Sequence, residues 1–260
     1  MKITVTIITL NEADNILDAI RSVSWADEIL LVDSESTDAT RQIAASAGAR
    51  VLINPWPGFS QQKQFAVDAA AHDWIFSLDA DERLSADLRA SIAQLREQSE
   101  AKLADGYRVA RRAFYLGRWI RGGGWYPDYQ LRLFNRRRGR WKDRIIHESV
   151  AMDKDARVET LPGDLLHYSM RDPEHHRRMI DERYAPLGAQ QMQLEGKRTS
   201  RLQIATAGPL AFVRSFILKG GFRDGQAGWI IAKMAAHHAA LKHSILHQLQ
   251  SQSDLQHLKQ

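Results

Sequence analysis

The sequence predicts an α/β fold, with a mixed, mostly parallel sheet flanked by helices and a mainly helical C-terminal extension. In the first half of the chain, short runs rich in β-branched residues alternate with segments whose apolar residues recur at helical spacing. This alternation is typical of right-handed βαβ units with parallel strands. The strand-like runs are almost continuously apolar, as expected when helices cover both faces of a sheet. A chain of 260 residues with 44% hydrophobic residues is long enough for one large domain or for one domain with an appendage.

The predicted elements follow one another with short connections. The first strand, ITVTIITL, leads into NEADNILDAIRSV, in which apolar residues recur every three or four positions. EILLVDS, RVLINP and WIFSLDA are the next strands, and each of the first two is followed by a helical pattern. We expect strands over 3–10, 28–34, 50–55, 74–80, 106–116 and 129–136, and helices over 11–23, 38–49, 61–71 and 85–98, with mainly helix from about 170 onward.

Charge is distributed unevenly along the chain. Residues 107–144 contain twelve Lys or Arg and two Asp, a net charge of +10, and residues 196–260 contain nine Lys or Arg and two Asp, a net charge of +7. Such basic regions favour an anionic partner, and nucleic acid, phosphorylated lipid and a bilayer surface all fit. The chain has no cysteine, which excludes disulfides, thiolate nucleophiles and thiolate metal ligands.

Two features of the sequence bear on its location. The N-terminal stretch MKITVTIITLNEADN becomes polar by position 11 and lacks a small-residue cleavage site, so we do not expect a signal peptide. No stretch reaches 18 uncharged apolar residues, so we do not expect a spanning helix. The sequence therefore predicts a cytoplasmic protein.

The C-terminal region mixes apolar and basic residues in LAFVRSFILKGGFRDGQAGWIIAKMAAHHAALKHSIL. One interpretation is a helix that packs on the main domain. The other is a cationic amphipathic surface on anionic lipid. We expect the histidine pairs at 175–176 and 237–238 to lie on helix surfaces.

Polar and acidic residues collect where the predicted strands end. The first strand ends at 9–12, the second at 33–38 and the fourth at 79–82. The carboxyl ends of parallel strands meet at one edge, where ligands of open α/β sheets bind. Asp79 and Asp81 are either caps of the next helix or ligands of a divalent cation bound to a diphosphate. No P-loop or G-x-G-x-x-G is present to hold phosphates by backbone alone, which favours the cation.

Four ordered segments carry a resemblance to a known family. VTIITLNEADNI, ILLVDSESTDAT, GFSQQKQFAVDAA and WIFSLDADE resemble the donor-binding half of family 2 inverting glycosyltransferases, which have the Rossmann-like GT-A fold. YPDYQLRLFNR, IHES and LKGGFRDGQAGW are similar to lipopolysaccharide-core enzymes that add glucose to an inner-core heptose. The resemblance implies a catalytic domain over 1–165, with the nucleotide sugar bound by 1–100 and the acceptor by 101–165. For the helical extension over 166–260 we expect contact with the membrane surface, because its apolar and basic residues suit anionic lipid and the implied acceptor lies in the membrane.

The resemblance assigns donor-side roles to matching positions. Asp33 stands where a carboxylate pairs with uracil, and an acceptor-only group suits the imide N–H of uracil but not the unprotonated ring nitrogen of cytosine. Asp79 and Asp81 match a DXD motif, in which Asp81 binds Mg²⁺ or Mn²⁺ and Asp79 contacts ribose, the metal or metal-bound water. The remaining donor-side candidates are Thr9, Asn11, Glu12 and Lys63 at the nucleotide and His147 as a third metal ligand.

On the acceptor side, an inverting transfer needs a base near the acceptor hydroxyl, opposite the leaving nucleotide. Asp128 is our candidate, because it is one of only two acids in the basic region and follows a Gly triplet. Glu148 is the reserve candidate. Arg132 is assigned to the diphosphate or the acceptor, since Arg binds phosphate in a bidentate manner. Trp125 and Tyr126 are candidates to stack on a sugar ring.

Three hypotheses for function follow. The first is a metal-dependent inverting hexosyltransferase that moves glucose from UDP-glucose to a heptose of the lipopolysaccharide inner core, at the anionic inner face of the cytoplasmic membrane. The second keeps the UDP-sugar site but has a polyprenyl phosphate or a capsule glycan as acceptor. The third is a non-catalytic basic protein that binds membrane or nucleic acid. The acidic strand ends argue against the third hypothesis, and we expect no nucleic-acid partner.

Overall fold

The computed structural model describes residues 1–142, 148–168, 170 and 172–257, with side chains described as far as residue 252. The chain divides into two compact units. The first consists of Met1–Arg112 and Asp128–Ser169, and the second of Ala113–Pro127 and Met170–Gln260. This division differs from the predicted boundary at residue 165, because residues 113–127 group with the C-terminal region.

The first unit begins with the predicted alternation of strands and helices and continues into a mainly β region. Its strands are β1 (Ile3–Thr9), β2 (Glu28–Asp33), β3 (Arg50–Ile53), β4 (Trp74–Asp79), β5 (Glu82–Leu84), β6 (Gly106–Tyr115, whose last residues belong to the second unit), β8 (Asp128–Asn135), β9 (Gly139–Trp141), β10 (Val150–Met152) and β11 (Val158–His167). Its helices are α1 (Ile16–Ser22), α2 (Thr40–Ser46), α3 (Phe59–Ala69) and α4 (Ala86–Arg96), with a 3₁₀ turn at Glu100–Lys102.

The main sheet has the order β3-β2-β1-β4-β8-β6-β11-β5 among the described residues. β1 pairs in parallel with β2 and β4, and β2 with β3, whereas β4 and β8, β6 and β8, and β5 and β11 pair in antiparallel fashion. All seven residues of β1 are buried, as the continuous apolar run predicts for a central strand. The architecture confirms the predicted fold class: a mixed sheet with helices and a helical C-terminal part.

The register of the central strands brings the predicted site to one edge. Thr9 at the end of β1 pairs with Asp33 at the end of β2. Ile8 pairs with Asp79 at the end of β4. The three polar strand ends therefore lie side by side, as the sequence predicts.

The antiparallel pair of β5 and β11 was not predicted. In this pair His167 lies opposite Glu82, and Leu165 lies opposite Leu84. β11 contains Pro162 and Gly163, which weaken a strand pattern in sequence. Gly163 has a φ of +96°, and a Cβ there would lie 2.2 Å from the backbone nitrogen of Leu88, so the glycine allows β11 to pass close to α4.

The second unit contains a short β segment and several helices. Arg118 and Trp119 form β7, which pairs with the last residues of β6. Its helices are α5 (Pro173–Met179), a π-helical turn (Ile180–Tyr184), α6 (Ala185–Leu194), α7 (Arg201–Val213), a second π-helical turn (Arg214–Leu218), a 3₁₀ turn (Gly221–Asp224) and α8 (Gly225–His257). Within the described ranges, no helix combines the length and apolarity needed to span a bilayer.

A buried carboxylate ties the glycine-rich loop to the start of α8. The side chain of Asp224 is 1% exposed and accepts hydrogen bonds from the backbone N–H of Gly122 at 2.7 Å and of Arg121 at 3.1 Å. A Cβ on Gly122 would lie 2.4 Å from the carbonyl oxygen of Gly220. The glycines of GGG and KGG thus let two backbone segments touch.

The prediction that the pair His175–His176 lies on a helix surface is wrong for His176. Its side chain is 6% exposed, and its Nδ1 lies 3.3 Å from the hydroxyl of Tyr115. Helical position alone does not reveal this burial, since it depends on Tyr115, a residue 61 positions earlier in the chain.

Candidate active site

Two buried acceptor atoms lie at the ends of β1 and β2. Asp33 is fully buried, and its Oδ2 accepts a hydrogen bond from the backbone N–H of Ser36 at 2.8 Å. Among the described residues, neither Oδ1 of Asp33 nor Oγ1 of Thr9 has a hydrogen-bond partner. A buried polar atom left unpaired costs about 1–3 kcal/mol, so such atoms call for an explanation. A ligand that donates to them would supply it.

Asn11 and Glu12 connect the loops that follow β1 and β2. Asn11 has a φ of +55°, and its side-chain oxygen accepts from the backbone N–H of Thr37 at 2.8 Å. The carboxylate of Glu12 accepts from the Asn15 side chain at 2.8 Å, and its backbone N–H donates to the Thr40 hydroxyl. Both side chains thus hold the shape of the strand ends.

Asp79 is bound by two cationic side chains. Lys63 Nζ lies 2.9 Å from its Oδ1, and Arg132 Nη2 lies 3.1 Å from its Oδ2. Burial alone would raise the pKa of Asp79, but the charges of Lys63 and Arg132 outweigh this effect and hold the pKa well below its usual range. Lys63 and Arg132 are each only 4% exposed, and Lys63 also lies 5.0 Å from the centroid of the Trp141 ring.

Glu82 is a buried partner of Arg132. Its Oε1 accepts from Arg132 Nη2 at 2.6 Å, and its Oε2 accepts from the backbone N–H of Asp79 at 3.0 Å. Burial raises the pKa of Glu82 and the charge of Asp79 adds to the rise, although Arg132 opposes it. The helix that follows, α4, is capped by Ser85, so neither Asp79 nor Asp81 serves as its cap.

Asp81 faces a histidine that the sequence did not point to. The Nε2 atom of His167, the last residue of β11, lies 3.3 Å from Oδ2 of Asp81, and both side chains are partly exposed. The Asp81 carboxylate is the kind of oxygen ligand that Mg²⁺ and Mn²⁺ prefer, with phosphate and water oxygens as further ligands, and the imidazole of His167 beside it is a common metal ligand. Across the described residues no group of three or more Asp, Glu, His or Cys is placed to hold a metal. The predicted ligand His147 lies outside the described residues.

Asp128, the predicted base, is held by Arg111. Oδ2 of Asp128 accepts from Arg111 Nη2 at 2.7 Å and Nε at 2.9 Å, and its Oδ1 accepts from Gln130 at 2.7 Å. The side chain of Asp128 is 34% exposed, so Oδ1 can still receive a further donor. Glu148, the reserve candidate, is partly exposed and lies 3.5 Å from Lys63 Nζ.

Trp125 and Tyr126 belong to the second unit. The Trp125 ring is 5.6 Å from the Tyr115 ring and 5.4 Å from that of His176, between centroids. Trp125 is therefore packed on one side, and Tyr126 precedes a cis peptide bond to Pro127.

The structure brings together most of the predicted donor-side residues of the first unit. Lys63, Asp79 and Arg132 form one cluster, and Thr9 and Asp33 lie on adjacent strands. Sequence reasoning missed Arg111 and His167. Arg111 stood among many arginines, and His167 ended a strand whose Pro and Gly obscured the pattern.

The fold and the site together define a class of protein: an α/β protein with buried carboxylates and cations at the ends of its parallel strands. The family model "Glycosyl transferase family 2" matches residues 4–155. The chain belongs to this family, in agreement with the predicted resemblance, and is a glycosyltransferase of the GT-A fold.

Several proteins resemble the chain. It is 32% identical over 249 residues to the lipopolysaccharide core biosynthesis glycosyltransferase LpsC of Rhizobium meliloti, covering 93% of this chain and 90% of that protein. It is 32% identical over 263 residues to an uncharacterized glycosyltransferase of Rickettsia bellii, covering 96% and 88%. Among solved structures, the glucosyl-3-phosphoglycerate synthase of Mycobacterium tuberculosis, in complex with Mn²⁺, UDP and glucosyl-3-phosphoglycerate, is 25% identical with a TM-score of 0.34. That match covers 45% of this chain and 44% of that one.

Proposed function

We propose that the protein is an inverting hexosyltransferase that transfers a sugar, glucose from UDP-glucose, to a heptose of the lipopolysaccharide inner core. The relation to LpsC over almost the whole of both chains supports a lipopolysaccharide-core acceptor. Such an acceptor is anchored in a membrane, so the proposal places the enzyme at the inner face of the cytoplasmic membrane. The basic residues of the chain suit an acceptor that carries acidic groups.

The unpaired Oδ1 of buried Asp33 is the observation that carries the donor assignment. Because Oδ2 accepts from Ser36, Oδ1 remains as an acceptor for the imide N–H of uracil. Thr9 adds a hydroxyl on the adjacent strand. Lys63 pairs with Asp79 and Glu148, and Arg132 pairs with Asp79 and Glu82, so these two cations would face the diphosphate together with a divalent ion that offsets its charge.

A divalent cation fits Asp81 and His167, with Asp79 as a neighbouring carboxylate. When bound, Mg²⁺ or Mn²⁺ would neutralise the charge of the diphosphate leaving group. The chain's own contribution is to keep Asp79 ionised through Lys63 and Arg132. It also holds the imidazole of His167 beside Asp81.

The proposed base is Asp128, with Glu148 in reserve. Arg111 keeps the carboxylate of Asp128 oriented, and Oδ1 has a free lone pair to receive the proton of the acceptor hydroxyl. Asp128→Asn should lower the rate of transfer by about 10²–10⁴-fold while UDP affinity stays unchanged. Equal losses of rate and UDP affinity, or a larger rate loss in Glu148→Gln, would remove Asp128 from this role.

Substitution of Asp33 tests the donor. In Asp33→Asn, the amide oxygen must accept from Ser36, so the amide nitrogen takes the place of Oδ1 and becomes a donor. Titration calorimetry with Mn²⁺ should then show UDP affinity lower by about ten-fold or more, and CDP binding improved relative to UDP. Asp87→Asn, on the exposed side of α4, is the control. An unchanged ratio of UDP to CDP affinity would refute the assignment.

The acceptor is tested by product analysis. The enzyme should release UDP from UDP-glucose only when truncated lipopolysaccharide cores with an exposed heptose are supplied, and mass analysis of the core from a deletion strain should show one missing hexose. A normal core in that strain, together with transfer to a polyprenyl phosphate or a capsule glycan, would favour the second hypothesis. Absence of UDP binding altogether would refute UDP as the nucleotide of the donor.

A further inference from the structure

The second unit exposes a row of large apolar side chains. Leu210, Val213 and Ile217 are spaced three and four residues apart, which places them on one face of α7 and the π-helical turn after it. Their exposures are 66%, 43% and 56%. Leu202 precedes them at 73%, and Leu218 and Phe222 follow at 76% and 53%. We call these six residues the apolar row.

The opposite face of α7 and of the π-helical turn after it packs against other residues of the second unit. Gly208 is buried, and a Cβ there would lie 3.3 Å from the carbonyl oxygen of Ala236 in α8. Ser215 is also buried, and its hydroxyl donates to the carbonyl oxygen of Gly123 at 3.1 Å. The apolar row therefore faces away from the packing within the second unit.

Every charged residue in the sequence segment that carries most of the apolar row is positive. Residues 196–223 contain six Lys or Arg and no Asp or Glu. The acids at either end of this segment are engaged: Glu195 pairs with Lys197 at 2.7 Å, and Asp224 is buried against backbone N–H groups. The exposed basic side chains nearest the apolar row in sequence are Arg201, Arg214, Lys219 and Arg223.

We propose that the apolar row and its flanking basic residues form a surface that inserts into the interface of an anionic phospholipid bilayer. Exposed apolar side chains on a segment whose charged residues are all Lys or Arg match a bilayer with negative headgroups above an acyl region. A protein partner would need a matching acidic rim around an apolar groove, whereas a bilayer supplies both properties at once. The inference rests on the proposed function in one respect, since it gives that enzyme access to a membrane-anchored acceptor.

Vesicle sedimentation tests this surface on the full-length chain. Binding to phosphatidylglycerol vesicles should exceed binding to phosphatidylcholine vesicles by at least ten-fold and should fall in 0.5 M salt. Ile217→Asp should reduce binding at least ten-fold, and Arg214→Gln about five-fold. Ile53→Asp and Arg137→Gln are the matched controls in the first unit, because Ile53 is 56% exposed, as Ile217 is, and the Arg137 side chain is 75% exposed.

Equal binding to both kinds of vesicle, or equal losses in Ile217→Asp and Ile53→Asp, would overturn the proposal. A dimer in analytical ultracentrifugation that Ile217→Asp dissociates, without any vesicle binding, would also overturn it and assign the apolar row to a second copy of the chain. Calorimetry with UDP on Ile217→Asp separates this test from that of the proposed function. Unchanged UDP affinity with lost vesicle binding supports the surface, whereas absent UDP affinity in the wild-type chain counts against the donor assignment alone.

Discussion

Arg132 carries its charge in an almost completely buried position between Asp79 and Glu82. Removing one partner of a buried charge cluster leaves the others without compensation, which costs about 3–5 kcal/mol. We expect Arg132→Met to lower the free energy of unfolding by that amount in urea titrations. Arg137→Met, which removes an exposed pair with Asp73, should cost less than about 1 kcal/mol. Similar losses in the two variants would show that the cluster is not buried in solution.

His176 should make the folded protein less stable in mild acid. Burial lowers its pKa from 6.5 to about 4, with smaller contributions from His175 and His238. Between these values the unfolded chain takes up a proton that the folded chain does not. Stability from the neutral ring is therefore fully present above pH 6.5 and is lost as the pH falls toward 4.

The matched variants are His176→Gln and His175→Gln. The loss of unfolding free energy between pH 7.5 and pH 5 should be smaller in His176→Gln than in the wild type by about 2 kcal/mol. His175→Gln removes only a smaller contribution to the lowered pKa of His176, so it should lose nearly as much as the wild type. An identical pH dependence in all three proteins would contradict the burial of His176.

Among the elements, α8 begins at a close contact between backbones. A Cβ on Gly228 would lie 1.8 Å from the carbonyl oxygen of Gly221, so Gly228→Ala should destabilise the protein by about 3 kcal/mol in urea unfolding, despite the better helix propensity of Ala. In α6, a Cβ on Gly188 would meet only the flexible side chain of Lys242. Gly188→Ala should therefore be neutral or stabilising. Equal effects of both variants would contradict the close contact.

The sequence predicted best those elements whose type follows from the local pattern of apolar residues. β1 was expected over 3–10 and is observed as Ile3–Thr9 because a central strand must be apolar on both faces. β11 was missed because Pro162 and Gly163 interrupt its pattern, and its pairing with β5 depends on residues about 80 positions earlier. The short distance between His167 and Asp81 also depends on this pairing of distant segments, so local sequence could not predict it.

At the level of the whole molecule, the apolar core of the second unit joins residues far apart in sequence. Tyr115 and Ile120 pack with Ala227 and Ile231. A fragment of residues 1–169 would expose Tyr115 and Ile120, so we expect it to aggregate or to bind a hydrophobic dye, as measured by light scattering and dye fluorescence. A chain ending at residue 251 keeps this cluster and should stay soluble. A soluble, dye-negative 1–169 fragment would show that residues 113–127 do not need the C-terminal helices.

The sequence alone shows which regions of the molecule are basic. It does not show which of the charged side chains are buried and which are exposed. Both basic regions were evident, but only the structure shows that Arg132 lies in the interior, while Arg137 is solvent-exposed. The acidic strand ends gave the location of the candidate site because the carboxyl ends of parallel strands share an edge. The cations that bind them come from α3, β6 and β8 and could not be paired without the fold.

The polypeptide passes from one compact unit to the other at residues 112–113, 127–128 and 169–170. A single protease cut at any one of these crossings would leave two covalent links intact, so the halves would remain tethered after nicking. Because each unit consists of two separate segments of the chain, neither unit can be moved into another protein as one continuous stretch of sequence. Chimaeras between relatives would have to exchange residues 113–127 together with the C-terminal helices, which predicts that these two stretches diversify as a set.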